Sequence, residues 1–191
     1  VASGCPASTA VLADALGATG ILTLANDLGL FTAPVLRIST QTGARPEAIA
    51  DPIRWLLSQD NTTAETRLMV SPLQMALATA VLSNHGLQPD PVLVTAVDTP
   101  QSGWVMLYEL TDPGEVFSTR TSQAIIDQLA DSALPIWQVT ACVGENPPEG
   151  VCWYLGGTLE TWAGAPFALA VLLENPNAEL VTAIGREVLE N

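Results

Sequence analysis

The stretch "VSPLQMALATAVLSNHGLQPDPVLV", residues 70–94, decides how the rest of the chain is read. Ser71 followed by Pro72 is a helix-opening pair. The serine hydroxyl can accept from a free first-turn amide, and a proline there gives up no hydrogen bond. Leu73, Ala76, Leu77, Ala80 and Val81 recur at three- and four-residue steps, so the spacing predicts a helix over 71–83 with those residues as its buried stripe. Asn84-His85-Gly86 stops it, and after Pro91 the run "PVLVTAVD" has the composition of a β-strand.

Upstream, residues 6–30 predict two short helices. "STAVLADALG" carries Ser8 or Thr9 as cap and Gly17 as stop, and "GILTLANDLGLF" lies between Gly20 and Gly29. Residues 32–50 lack any period and read as an irregular loop. "DPIRWLLSQ" (51–59) is a short helix capped by Asp51, and "DNTTAETR" is a turn. Downstream, "GWVMLYEL" pairs with "PVLVTAVD" through the turn residues 99–103 as a hairpin. "TSQAIIDQLADSAL" (121–134) is an amphipathic helix. The runs "IWQVTACV" and "VCWYLGGTL" flank "GENPPEG", "PFALAVLLEN" reads as a buried strand, and "ELVTAIGREVLEN" closes the chain as a helix. The fold class is α+β in one domain over 1–191. A helical group (1–86) precedes an antiparallel sheet with its helices (87–191), the last helix backing the sheet.

Composition narrows the function. With 191 residues, 48% of them hydrophobic, the chain can bury a core. It has six arginines, no lysine and twenty acids, for a net charge of −14. Such a chain repels phosphate backbones and anionic lipid, which argues against nucleic acid and membrane-surface partners. The acids are scattered singly, as on a solvated surface. No apolar run approaches the ~20 residues that span a bilayer, so this segment does not insert directly. No signal-peptide pattern is visible, and the opening "VASGCPAS" reads as a cut into a larger protein.

Other constellations are weak. His85 is the single histidine and sits in a turn with no nucleophile elbow near it. Cys5, Cys142, Cys152 and His85 lack metal-ligand spacing, and "GATG" (17–20) lacks the lysine of a phosphate loop. No cofactor and no metal are expected. Five tryptophans suggest a sugar platform as one reading; Trp137, Trp153 and Trp162 fall on strands or their ends, where aromatics usually fill the core or its edge, with Trp137 the exception that keeps the platform reading open.

The order of motifs resembles the second half of a penicillin-binding transpeptidase domain. Leu16-Gly17, Leu28-Gly29-Leu30, Ser71-Pro72-Leu73-Gln74, Asn84-His85-Gly86, Pro91-Val92-Leu93-Val94, Trp153-Tyr154-Leu155-Gly156 and Ala170-Val171-Leu172-Leu173-Glu174 carry the resemblance. The family's catalytic motifs do not survive. Ser-x-x-Lys would lie upstream of residue 1. Ser-x-Asn falls on Gly4-Cys5-Pro6 or, slipped by one, on Ser3-Gly4-Cys5. The Lys-Thr/Ser-Gly-Thr-Ala strand falls on Trp137-Gln138-Val139-Thr140-Ala141, with Trp137 in place of the lysine. The resemblance thus implies a vestigial cleft of Ser3, Gly4, Cys5, Pro6, Trp137, Gln138 and Thr140. It would have no catalytic residues: a serine needs a base to lose its proton, and an indole is neither base nor cation.

The expected function is a non-catalytic penicillin-binding-protein-like domain of the bacterial cell envelope, extracytoplasmic, with a scaffolding or interaction role in peptidoglycan synthesis or division. The alternatives are a fragment of a D,D-transpeptidase whose serine lies upstream, and a glycan or peptide binding module. A protein partner or a homodimer is expected, because the small sheet leaves an exposed edge or apolar face. A peptidoglycan-related ligand is a further candidate. A hairpin centred on Pro147 sets Cys142 opposite Cys152 within disulfide reach, and the extracytoplasmic location the resemblance implies permits oxidation. A one-residue slip would instead leave two free thiols.

Overall fold

The computed structural model describes residues 6–36, 40, 69–107, 114–143 and 150–190. The helix expected at 51–59, the turn after it and most of the 32–50 loop lie outside the described residues. Helix α1 runs Pro6–Asp27, broken at Gly17, whose φ of 63° no helix accommodates. Two helical arms therefore meet at Gly17, as expected. Gly20 lies inside the second arm instead of opening it. Among the described elements α1 shares no extensive contact face with another helix or strand.

Helix α2 runs Pro72–Ser83 under a complete capping box. Ser71 Oγ accepts from Gln74 N (3.2 Å), and Gln74 Oε1 accepts from Ser71 N (3.0 Å). Gln74 does more than cap. Its Nε2 donates to the carbonyls of Gly29 (3.3 Å), Leu30 (2.9 Å) and Thr32 (3.1 Å), pinning the turn that follows α1. The fully buried residues of α2 are Gln74, Thr79 and Val81, and the rest of the expected stripe is half-buried. The stripe is a correction: α2 packs on the sheet, on the next helix and on the 29–32 turn, so burial spreads beyond one face.

The helix ends as the Asn-His-Gly triplet predicts. His85 takes the left-handed conformation (φ 57°), and Gly86 N donates back to Val81 O (2.8 Å), a Schellman closure. Gly86 O then accepts from Val116 N and Phe117 N, and a Cβ on Gly86 would overlap the Phe117 carbonyl. This close approach delivers Ser118 as cap of helix α3, Thr119–Leu129. The helix expected to reach residue 134 stops at Leu129, because Ala130 bridges to Trp137 and the Asp131 carboxylate accepts the amides of Ala133 and Leu134.

Strands β1 (Ala96–Thr99) and β2 (Gly103–Met106) form the expected hairpin, but as a separate two-stranded sheet. Residues 91–95 are not strand, because the ladder begins where Ala96 faces Met106. The main sheet has order β3-β4-β5, all antiparallel: β3 is Ile136–Val143, β4 Val151–Thr158 and β5 Ala168–Leu173. β5 is half-buried along its length, not fully buried as its composition predicts, because it lies at the sheet's edge. Helix α4, Ala178–Glu190, covers one face, and α2 covers the other. The core under α4 consists of Ile136, Cys152, Tyr154, Val181 and Leu189, ringed by Leu134, Trp162, Phe167, Leu169, Val171 and Leu173. On the α2 face the register stacks Gly157 beside Ala168 and Trp137, and a Cβ on Gly157 would overlap Ser83 Oγ. Small residues there let α2 lie directly on the sheet.

Cys142 and Cys152 face each other in the β3–β4 register and are joined by a disulfide, Cα–Cα 4.1 Å. Cys152 is fully buried and Cys142 is exposed. The bond closes a ten-residue separation, so on the chain-entropy model it contributes about 2–3 kcal/mol. Thiol titration of the denatured, unreduced protein is expected to find one reactive thiol, from Cys5. Replacing Cys142 and Cys152 by serine together should lower the urea midpoint accordingly, and a count of three thiols would contradict the bond.

Candidate functional site

The candidate site is the outer edge of β3, where the strand order of the described residues leaves one side of Ile136–Val143 without a sheet partner. The first two residues are covered: Ala130 bridges to Trp137, and Asp131 N donates to Ile136 O (2.8 Å). Beyond Trp137 no described residue pairs with this edge. An open edge of this kind can take an extended chain by main-chain hydrogen bonds.

Successive side chains of a strand point to opposite faces, and that divides the expected cleft. Trp137 points to the α2 face. It is 1% exposed, and its Nε1 donates to Ser83 Oγ (2.9 Å). Gln138 and Thr140 point to the α4 face and are also buried. Thr140 Oγ1 shares a hydrogen bond with Thr182 Oγ1 (2.8 Å) on α4. So Trp137, Gln138 and Thr140 share a strand but present no common surface. Of the other expected residues, Ser3, Gly4 and Cys5 lie outside the described residues, and Pro6 is the first residue of α1.

Gln138 belongs to a polar chain that sequence reading did not find. Tyr154 Oη donates to Gln138 Oε1 (3.0 Å), and Gln138 Nε2 donates to Asp131 Oδ2 (2.5 Å). Arg186 Nη2 lies 3.6 Å from the same carboxylate oxygen, and Arg186 Nε reaches Glu190 Oε1 (3.4 Å). Burial pushes the Tyr154 phenol up to about 12. Asp131 is held below the usual aspartate value, chiefly by the Ala133 amide; Leu134 N–H, Arg186 and Gln138 add to this, and burial opposes it. The one sequence signal was "ADSAL" after α3, an Asp placed to accept the amides two and three residues on.

This chain has a consequence for pH. A carboxyl whose folded pKa is depressed stabilises the fold fully above its unfolded value, and that stability is lost as pH falls through the folded one. Asp131→Asn is therefore expected to cost about 1–2 kcal/mol at neutral pH. The gap between the two proteins should close as pH drops below about 4. Urea melts at both ends of that range check it, and a gap independent of pH would contradict the carboxylate's role.

Arg120 and Arg186 are the cationic side chains among the described residues, and Arg186 is engaged by Asp131 and Glu190. No group of three or more metal-ligating side chains occurs among the described residues, and no described helix is long and apolar enough to cross a membrane.

No protein-family model matches the sequence, and no curated protein sequence matches it. Solved structures do. Penicillin-binding protein A from M. tuberculosis, an imipenem acyl-enzyme complex, superposes with a TM-score of 0.77 at 19% identity, over 97% of this chain and 44% of that one. The D,D-transpeptidase domain of a peptidoglycan glycosyltransferase from Eggerthella lenta gives 0.76 at 18% identity, over 97% and 50%. Penicillin-binding protein 3 from M. tuberculosis gives 0.69 at 16%, over 97% and 49%. The chain spans about half the length of these structures, and its fold is that of about half of a penicillin-binding transpeptidase domain.

Proposed function

We propose that this chain is a non-catalytic, penicillin-binding-protein-like domain of the bacterial cell envelope, serving as a scaffold or interaction module in peptidoglycan synthesis or division. Trp137 carries the reading. At the position the resemblance gives to the strand lysine, the side chain is a buried indole whose only polar atom is spent on Ser83. The chain has no lysine to act as base or as carboxylate anchor. A serine supplied from another segment would meet the same deficit. The solved structures of this fold include β-lactam acyl-enzyme complexes, which makes the test direct. Purified chain incubated with a fluorescent penicillin is expected to show no covalent labelling. Labelling that survives denaturation and is blocked by excess unlabelled penicillin would overturn the reading.

The open outer edge of β3 beyond Trp137 favours one second reading, a peptide-holding module. Titration calorimetry with muropeptides that yields no heat would remove it.

A further inference from the structure

Among the described residues no helix or sheet packs over the Ala96–Met106 hairpin. Every residue of β2 is exposed, and the hairpin belongs to no larger sheet. Eight large apolar residues between Val92 and Leu107 are 37–74% exposed, Trp104 most of all. Residues 92–107 hold a single charge, Asp98, in a chain of net charge −14. A two-stranded hairpin is marginal in water without something packed on it, and a patch of this kind marks an interaction surface.

Beside the hairpin opens a cavity of about 820 Å³. Leu28, Val35 and Leu36 line one side of it, and Pro91–Val94 with Leu107 line the other. Gln88 lines it too, and its Oε1 is the described buried side-chain atom without a hydrogen-bond partner. The molecule thus carries an apolar projection and, next to it, a hollow lined largely by apolar residues, in whose wall the buried Gln88 Oε1 has no partner. Trp104 brings an indole N–H, a donor with no acceptor capacity. Buried indoles usually find a partner for that proton.

We propose that the chain self-associates as a two-fold dimer in which each copy's hairpin seats Trp104 and Met106 in the other's cavity. The Trp104 N–H then donates to the partner's Gln88 Oε1, after a turn about that side chain's soft last torsion. A two-fold interface uses the same patch on both copies, and projection and hollow are contiguous through Thr95 and Leu107, whose backbones are hydrogen-bonded (3.0 Å). Trp104 and Met106 lie on one face of the hairpin and Val97 and Val105 on the other, so the roughly 800 Å² that the eight residues expose is the most one copy could give, about one partner's share of a standard interface, and it is reached only when the hairpin is enclosed on both faces. A basic partner fits less well, because among the described residues the hairpin and the cavity lining offer two acids, Asp98 and Asp90, against eight exposed large apolar side chains.

The test is sedimentation velocity of the whole chain up to about 100 µM, above the micromolar Kd of the weaker interfaces of this size. A dimer is expected, and it should tighten with added salt because screening relieves repulsion between two copies of charge −14. Trp104→Asp should dissociate it with the circular dichroism spectrum unchanged, since the residue is 74% exposed. Trp104→Phe, which removes only the N–H and part of the ring, should weaken it about tenfold, and Gln88→Leu should remove that difference between Trp and Phe. A monomer at every concentration, or a dimer indifferent to Trp104→Asp, overturns the proposal. Dissociation of the dimer by salt does so too, because it would signify a charge-paired interface.

Discussion

Trp137→Lys, which restores the residue the resemblance expects, is expected to unfold the protein at 25 °C. The indole is 1% exposed between β3 and α2, and its Nε1 is the donor that satisfies Ser83 Oγ. Truncating a buried tryptophan alone costs about 3–5 kcal/mol, and an amine left in that space must stay neutral or bury a charge. The sum is comparable with the whole stability of a domain, about 5–15 kcal/mol. Trp137→Phe keeps most of the volume and loses one hydrogen bond, so it should fold with a deficit of about 1–2 kcal/mol. Circular dichroism and urea melts distinguish the two. A folded Trp137→Lys protein with an unchanged midpoint would put residue 137 in an open cleft and reverse the argument against catalysis.

Gly185→Ala is expected to cost about 3 kcal/mol, the upper end for a single added methyl in a packed interior. Gly185 lies where α4 crosses β4, and a Cβ there would overlap three carbons of the Tyr154 ring. The ring cannot move aside cheaply. Tyr154 is fully buried, and its hydroxyl is tied to Gln138. Relief would have to come from α4 lifting off the sheet, exposing Val181 and Leu189. Tyr154→Ala is itself destabilising, but combining it with Gly185→Ala should be much less damaging than the sum of the two. That coupling, read from a double-mutant cycle of urea melts, is the diagnostic; simple additivity would mean the two residues are not in contact.

Much of this fold was legible because its signals are local. Ser71-Pro72 with Gln74 three residues after the serine specifies a capping box, and Asn84-His85-Gly86 specifies a left-handed stop. Strands β3 and β4 stand out as apolar runs, and their register follows from a short connection. What misled were features settled by distant partners. Val92, Leu93 and Val94 have strand composition, yet among the described residues the ladder begins only at Ala96, and they stay exposed. Trp137 and Gln138 are neighbours in sequence, but the pleat sends one toward Ser83 and the other toward Asp131. The Tyr154–Gln138–Asp131–Arg186 chain joins residues up to 55 positions apart, and no spacing rule announces it. Gly157 and Gly185 are likewise explained only by the atoms each would strike.

The Gln74 amide clamp also says how the molecule comes apart. Strands β3 to β5 and α4 are consecutive and share one core, so they should open together, at a free energy near that of global unfolding. Among the described elements α1 shares no extensive contact face with that core, although Ala25 on it is buried. Its described attachment is the turn at residues 29–32, hung from one side-chain nitrogen across more than forty residues of chain. Hydrogen exchange should therefore resolve two populations: α1 amides released by fraying that urea barely alters, and sheet amides released only by cooperative unfolding. Gln74→Ala would remove what little protection the 29–32 turn has while leaving exchange from β3 and β4 limited by the same collective event. Gln74 thus couples two parts of the described structure through one side chain, so its loss would uncouple the turn after α1 from the helix that backs the sheet.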